Sequence, residues 1–293
     1  MINERTIDAN GMTFSLLEAG DGPLALLLHG FPDHNRSWEP IIESMASAGW
    51  HAVAPAMRGY APSGPAPDGC YQAWATGGDA VALIEALGYR DAVVIGHDWG
   101  ATAAYAAARQ APERIRKLVT MAVPHGPGMG QSFVTNGDQQ RRSWYMFFFQ
   151  LPYAEAAVEF DDFAFIDRLW SEWSPGYVAP PESRAALKRM FATDGVLANA
   201  LAYYRQTFSP TPEHPDWAER QTISHGPIGV PTLYLHGADD GCIGLEVCDG
   251  MEASFTAGLQ RVVVPEAGHF LQVEQPAAVA EHVLGFLGKP TAG

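Results

Sequence analysis

The stretch Asp91–Gln110, DAVVIGHDWGATAAYAAARQ, constrains the fold more than any other part of the chain. Its first half is a short continuous apolar run, which is typical of a strand covered on both faces. Its second half is rich in alanine, which favours a helix. Because Gly96 and Gly100 flank the junction, the stretch predicts a sharp strand–turn–helix with Asp98 projecting from the turn, where a GxSxG elbow carries a serine.

Other segments repeat the strand and helix patterns. Short apolar runs occur in LALLLHG, HAVAP, RKLVTMAV, PTLYLHG and QRVVVPEAG, and segments of helical period such as AVALIEALGY separate several of them. Before the first run, RTIDANGMTFSLLEAG alternates polar and apolar residues around Asn10-Gly11, which predicts an antiparallel hairpin at the edge of the sheet. The order predicts an α/β fold with a mostly parallel central sheet flanked by helices.

The alternation of strands and helices stops after Val123. From Pro127 to Pro215 the chain is rich in aromatic residues at helical spacing and carries no convincing strand pattern. At 293 residues, the chain is also near the length at which a second lobe is added to one core. We therefore predict a helical cap, residues 127–215, inserted into a core domain formed by residues 1–126 and 216–293.

The composition excludes several classes of partner. Thirty-three acidic against 18 basic residues give a net charge of −15, which would repel nucleic acids and anionic lipid surfaces. The first residues, MINERTIDAN, have no apolar core, and no run approaches the roughly 18 apolar residues of a spanning helix. Three cysteines form neither an even disulfide set nor a spaced zinc cluster. We expect a cytoplasmic protein without nucleic-acid or membrane partners, and a homodimer is left open.

An acidic pair and a histidine, which could complete a catalytic set with Asp98, follow it in the chain. YLHGADDGCIG places Asp239 and Asp240 just past one strand, and VVVPEAGHFLQVEQP places His269 just past the next. Because the carboxyl ends of parallel strands meet at one edge of a sheet, these groups are expected to converge. Nucleophile, acid and histidine in this order predict a catalytic triad.

The motifs HGFP, GHDWG, GADD and GHF resemble those of the α/β-hydrolase family, and within it the epoxide hydrolase and haloalkane dehalogenase branch. The resemblance extends over essentially the whole chain and implies an α/β-hydrolase fold with a cap. It implies Asp98 as nucleophile, His269 as base and Asp240 as the orienting acid, with Asp239 as the rival acid.

The loop HGFP directly follows a predicted strand. The same resemblance implies that the backbone amides of Phe31, in this loop, and of Trp99, after the nucleophile, form an oxyanion hole.

An aspartate nucleophile indicates a particular chemistry. A carboxylate that attacks an ester gives a high-energy anhydride, whereas attack on a saturated carbon gives an ordinary ester. His269, held by Asp240, would then activate a water molecule that hydrolyses the Asp98 ester. We therefore expect a small apolar organic substrate with an electrophilic sp3 carbon, together with water, and neither a cofactor nor a metal.

Two leaving groups suit this chemistry, an epoxide oxygen and a halide. An opening epoxide needs a proton donor such as a phenol. ALAYYRQ resembles the epoxide hydrolase segment in which the tyrosine before the arginine donates, which implies Tyr204. The second cap tyrosine usual in epoxide hydrolases falls on Phe148 in FFFQLP, which departs from the pattern. Tyr145 lies three residues earlier, on the same face of a helix, as a substitute.

A halide needs hydrogen-bond donors only. Haloalkane dehalogenases commonly carry an asparagine where this chain has Phe31, so Trp99 and the cap residue Trp144 are the candidate donors here. Trp144, Tyr145, Phe148 and His125, the last at a strand end beside the cap, are expected to line an apolar pocket. We predict an epoxide hydrolase, with a haloalkane-type dehalogenase and a non-catalytic ligand-binding homologue as alternatives.

Overall fold

A computed structural model of the protein describes residues 1–208 and 215–290. Within these residues eight strands form one sheet, in the spatial order β1-β2-β4-β3-β5-β6-β7-β8. The strands are β1 (Asn3–Ala9), β2 (Met12–Ala19), β3 (Leu24–Leu28), β4 (His51–Pro55), β5 (Ala92–His97), β6 (Ile115–Met121), β7 (Thr232–Gly237) and β8 (Leu259–Val264).

The sheet is mostly parallel. β1 and β2 form the antiparallel hairpin at one edge and turn at Asn10 and Gly11, both with positive φ. β2 is also antiparallel to β4, and every other neighbouring pair is parallel. The predicted α/β fold is therefore confirmed.

Twelve α-helices lie in the described part of the chain. They are α1 (Glu39–Ser47), α2 (Ala73–Ala86), α3 (Trp99–Gln110), α4 (Gly128–Thr135), α5 (Gly137–Arg142), α6 (Trp144–Phe148), α7 (Ala154–Trp173), α8 (Pro181–Phe191), α9 (Val196–Phe208), α10 (Pro215–Ser224), α11 (Leu271–Glu274) and α12 (Pro276–Leu287). None of them is both long and apolar enough to span a membrane.

The helices α4 to α9 lie between β6 and β7, where the cap was predicted. No strand interrupts this part of the described chain. The cap limits, residues 127 and 215, stay a prediction. The later limit adjoins residues 209–214, which lie outside the described residues.

Apolar side chains cover both faces of the sheet. Along β3, Leu26 and Leu28 pack into one buried cluster, while Ala25 and Leu27 pack into the other, because alternate residues of a strand point to opposite faces. The first cluster also contains buried side chains of the cap helices, among them Tyr204. This double burial explains why the central strands read as continuous apolar runs.

The turn between β5 and α3 depends on close backbone approach. Asp98 has φ +54° and ψ −118°, a conformation that L-residues rarely adopt. A Cβ on Gly96 would lie 2.1 Å from the carbonyl oxygen of Gly100, and one on Gly100 would lie 2.0 Å from that of Leu28. Only glycine therefore allows the strand and helix to meet closely enough to hold Asp98 in this turn.

Candidate active site

Asp98 lies at the carboxyl end of β5 and directly before α3, and its side chain is buried. Its Oδ1 accepts a 2.7 Å hydrogen bond from the backbone N–H of Phe31, in the loop after β3. The turn therefore holds the Asp98 carboxylate in a fixed orientation at the N-terminus of α3.

His269, in the loop after β8, lies between two carboxylates. Its Nδ1 is 3.0 Å from Oδ2 of Asp240, and its Nε2 is 3.5 Å from Oδ2 of Asp98. The other oxygen of Asp240 accepts hydrogen bonds from the backbone N–H groups of Cys242 (2.7 Å) and Ile243 (2.9 Å). These contacts fix Asp240 so that it orients the imidazole.

The rival acid, Asp239, has a different environment. The residue is exposed, and its backbone N–H donates to the carbonyl oxygen of Ala267. The structure thus brings Asp240, and not Asp239, against His269.

The two carboxylates control the charge of the imidazole. Burial alone would lower the pKa of His269, but attraction to Asp240 and Asp98 outweighs it and raises the pKa to about 10. Burial alone would raise the pKa of Asp240, but His269, together with His236 and the Ile243 N–H, outweighs burial and lowers it. At neutral pH the resting site therefore holds His269 as an imidazolium between two anions.

Tyr204, on α9, lies close to the nucleophile. Its ring packs edge to face on Phe31 (centroids 5.4 Å apart) and Trp99 (4.9 Å). Its hydroxyl is buried and has no hydrogen-bond partner in the described part of the chain. Burial, reinforced by the Asp98 carboxylate, outweighs the opposing effect of the neighbouring Trp99 indole and raises the pKa of this phenol well above its usual range. The hydroxyl therefore stays protonated and free to donate.

A second phenol, Tyr145 on α6, packs against Tyr204 with ring centroids 5.7 Å apart. Its hydroxyl lies 3.3 Å from the sulfur of Cys242, and burial raises its pKa well above the usual range. Phe148, the position at which the resemblance to epoxide hydrolases places the second tyrosine, instead stacks on Phe165 with ring centroids 5.7 Å apart. The substitute considered from the helical spacing, Tyr145, is thus the residue that the structure brings to Tyr204.

The expected oxyanion residues have unequal support in the geometry. The backbone N–H of Phe31 donates a hydrogen bond to Asp98. Trp99 is supported only by its position next to Asp98, as the first residue of α3. The indole N–H of Trp99 is buried without a partner in the described part of the chain. Trp99 is one of the residues that line the cavity beside Asp98.

A cavity of about 840 Å³ opens beside Asp98, Trp99 and Tyr204. His125, expected at the pocket, lines it, but Trp144, Tyr145 and Phe148 are not among its lining residues. Trp144 instead packs against Phe148 and Phe165, and the guanidinium of Arg168 lies 4.3 Å from its ring centre. The rings of Trp144 and Phe148 thus pack within the cap, whereas Tyr145 faces Tyr204 and Cys242.

One positioning group had no signal in the sequence. The carbonyl oxygen of Trp173, the last residue of α7, accepts 3.0 Å hydrogen bonds from the N–H groups of both Gly241 and His269. These N–H groups belong to the two loops that carry the acid and the histidine. The ring of Trp173 also packs on His269, with centroids 5.1 Å apart. The end of a cap helix therefore ties the two loops together.

A second group of the site that the sequence did not indicate is the buried carboxyl of Asp33. It accepts hydrogen bonds from Ser37 (2.7 Å) and Gln272 (3.2 Å), and burial raises its pKa to about 7. Its only signal was its place directly after HGFP, and burial could not be read from that.

Possible metal ligands also occur here. Asp240, Cys242 and His269 place one ligand atom each within 4.8 Å of one another. A metal would need the thiolate, yet burial and the charge of Asp240 raise the pKa of Cys242. Asp240 and His269 also bind each other through the atoms that a metal would use. The arrangement fits a hydrogen-bonded triad better than a metal centre.

Comparison with known proteins agrees with this geometry. A family model described as alpha/beta hydrolase fold matches residues 23–276. Epoxide hydrolase 4 of Mus musculus is 30% identical over 97% of this chain and 79% of its own length, and an epoxide hydrolase of Caballeronia sordidicola is 30% identical over 98% and 94%. The crystal structure of the Bacillus megaterium epoxide hydrolase with an inhibitor superposes with a TM-score of 0.83 at 27% identity, covering 97% of this chain and 99% of that one. The chain belongs to the α/β-hydrolase fold family, within its epoxide hydrolase branch.

Proposed function

We propose that this protein is an epoxide hydrolase that converts a small apolar epoxide and water into a diol through a covalent ester on Asp98. The observation that carries the proposal is the buried, unpaired hydroxyl of Tyr204 beside a carboxylate nucleophile. A buried donor without a partner is costly, and an opening epoxide ring offers it one. The names of the relatives in the preceding section agree with this reaction.

The first step is attack by a carboxylate oxygen of Asp98 on an epoxide carbon. The carbon–oxygen bond of the ring breaks, its electron pair stays on oxygen, and a phenol protonates that oxygen. Tyr204 is the donor that we assign, with Tyr145 beside it as the second phenol. General acid catalysis of this kind contributes about 10²- to 10⁴-fold to a rate.

The second step is hydrolysis of the ester. Esterification removes the negative charge of Asp98, one of the two that raise the pKa of His269, so the imidazole can lose its proton and act as a base. His269 then takes a proton from water, whose oxygen bonds to the ester carbon. The amide of Phe31, with that of Trp99, would hold the oxyanion. The ester then breaks. The proton that the imidazolium lost restores the phenol, one proton of the water restores the imidazolium, and the other neutralises the diol oxygen.

The dehalogenase alternative has weaker support. A halide would need two donors, and the unpaired indole of Trp99 offers one. The second candidate, Trp144, packs within the cap and does not line the cavity. The non-catalytic alternative would leave the oriented Asp98, His269 and Asp240 without a role. The cytoplasmic location, the absence of nucleic-acid and membrane partners, and a homodimer remain predictions.

The decisive experiment is the intact mass of a His269→Gln variant after exposure to panels of epoxides and haloalkanes. Without its base the protein should accumulate the Asp98 ester. A mass gain equal to the whole epoxide supports the proposal, because the ring oxygen stays attached. A gain short by one hydrogen halide, from haloalkanes only, would establish the dehalogenase instead.

The control is the double variant Asp98→Asn, His269→Gln, which should gain no mass. An adduct that survives in the double variant would show that Asp98 is not the nucleophile. If the folded single variant gains no mass from any compound and the wild type turns none over, the proposal is wrong and the binding-protein alternative gains support.

A further inference from the structure

The cavity beside Asp98 continues along one face of α3. Thr102 and Tyr105 line it together with Asp98 and Trp99, and this spacing places them on the same side of the helix. At about 1.5 Å per residue, Tyr105 lies roughly 10 Å along the helix axis from Asp98. The cavity therefore has a distal end well away from the reacting carboxylate.

His125 and the end of α10 close this distal end. The His125 ring packs on Tyr105, with centroids 4.7 Å apart, and its Nε2 lies 2.7 Å from the carbonyl oxygen of Gly226. Gly226 follows the last residue of α10, Ser224, by only two positions. The contact thus fixes the end of α10 against the Tyr105 end of the cavity.

Two residues of α10 that line this region each carry a buried oxygen without a partner. Gln221 and Ser224 are three residues apart, so they share one face of the helix, and both line the cavity. The Oγ of Ser224 and the Oε1 of Gln221 are buried, and neither has a hydrogen-bond partner in the described part of the chain. Ser224 itself is only 7% exposed. A buried hydroxyl and a buried amide oxygen offer one donor and one acceptor to a ligand.

The charge around the cavity indicates a neutral ligand. Among its described lining residues, Asp98 is the only one of the types Asp, Glu, Lys and Arg. Arg109 lies near Gly226 but donates to the carbonyl oxygen of Pro227 (2.9 Å) and is not a lining residue. The histidines that line this end are His125, bound to the Gly226 carbonyl, and the exposed His225. A carboxylate bound at the distal end would therefore have no Lys or Arg to pair with it.

We propose that Ser224 and Gln221 form a distal subsite, at the Tyr105 end of the cavity, that binds a neutral hydrogen-bonding group of the substrate, a hydroxyl or an amide. The substrate class is then an apolar chain with an epoxide at one end and such a group at the other. This inference rests on the proposed epoxide hydrolase activity. It assigns Ser224 and Gln221 to specificity and not to the chemical steps.

The test compares matched terminal epoxides of equal length that end in a hydroxyl, a methyl or a carboxylate. For the wild type we expect the highest kcat/KM with the hydroxyl and the lowest with the carboxylate. Ser224→Ala should reduce kcat/KM for the hydroxyl substrate about tenfold, the usual effect of one lost hydrogen bond, and change that for the methyl substrate less than twofold. Gln221→Leu should act in the same direction. Thr222→Ala is the matched control, because Thr222 is exposed on the same helix and does not line the cavity.

The outcomes separate this inference from the proposed function. If the methyl epoxide is hydrolysed and Ser224→Ala affects all three substrates equally, the distal subsite is wrong while the epoxide hydrolase stands. The distal subsite is also wrong if kcat/KM is no higher for the hydroxyl substrate than for the methyl substrate, since Ser224 and Gln221 would then bind only water. If no epoxide is hydrolysed and His269→Gln forms no ester, the proposed function itself fails.

Discussion

The backbone N–H of Phe31 donates a 2.7 Å hydrogen bond to one oxygen of Asp98 and leaves the other oxygen facing the imidazole of His269 at 3.5 Å. The two oxygens of the nucleophile are therefore unequal. Oδ1 is placed to become the carbonyl oxygen of an ester, where the amide would stabilise a tetrahedral oxyanion. We therefore propose that Oδ2 is the oxygen that attacks the substrate.

Adding a side chain at Gly30, beside the hydrogen bond between Phe31 and Asp98, should disable the nucleophile. A Cβ on Gly30 would lie 2.2 Å from Oδ1 and 2.4 Å from Cβ of Asp98. We expect Gly30→Ala to lower kcat/KM at least about 10²-fold, because a shift of 1 Å in a reacting group has that order of effect. The measurement is steady-state diol formation with thermal unfolding as a check of folding. Gly64→Ala, where a Cβ would meet open space, should be unchanged; equal activity of the two variants would refute the assigned geometry.

Substitution of Asp240, and not of Asp239, should slow one step of the reaction, the hydrolysis of the ester. Asp240→Asn removes the charge that orients and stabilises the His269 imidazolium, so ester hydrolysis should slow by about 10³- to 10⁴-fold. Alkylation of Asp98 should persist, and rapid quenching with mass spectrometry should detect the ester in the first turnover. Asp239→Asn, at the exposed neighbour, should behave as wild type. A large defect in Asp239→Asn, with normal turnover in Asp240→Asn, would exchange the two assignments.

The phenols should affect ring opening and not ester hydrolysis. We expect Tyr204→Phe and Tyr145→Phe each to lower the single-turnover alkylation rate about 10-fold or more, and the double variant to lose the greater part of the 10²- to 10⁴-fold of acid catalysis. Tyr203→Phe is the control, since the hydroxyl of Tyr203 donates to the carbonyl oxygen of Arg58 (2.9 Å). Phe148→Tyr should restore nothing to Tyr145→Phe, because Phe148 stacks on Phe165 away from the cavity. Full rescue by Phe148→Tyr would show that the second donor was misplaced.

Stability should depend on the proton of His269. The two neighbouring carboxylates raise its pKa in the folded chain to about 10, against an ordinary value of 6.5. Because the folded value is the higher one, the stabilisation is fully present below pH 6.5 and is lost as the pH rises through 10. We expect urea titrations to show a larger fall in the free energy of unfolding across this range for the wild type than for His269→Gln. Parallel pH profiles would mean that the imidazole is not held protonated.

The sequence by itself determined the fold class and pointed to Asp98 and His269 as central groups. Continuous apolar runs alternating with helical segments arise because each parallel strand is covered on both faces, and that pattern is local. Gly96, Asp98 and Gly100 are equally local, since steric limits on a strand–turn–helix junction require glycine at close backbone contacts. The order of Asp98, the adjacent acids Asp239 and Asp240, and His269 along the chain pointed to a triad because parallel strands end at one edge of the sheet.

Only the tertiary structure decided between neighbouring residues whose side chains point in different directions. Asp239 and Asp240 are adjacent and alike, but the backbone amides of Cys242 and Ile243 hold one of them against His269 and leave the other exposed. Tyr145 and Phe148 lie on one short helix, yet packing within the cap turns one toward Tyr204 and the other toward Phe165. The role of the Trp173 carbonyl and the unpaired hydroxyl of Ser224 likewise depend on contacts between segments far apart in the chain. A sequence specifies which side chains exist, whereas their partners are set by packing between elements, which no local pattern encodes.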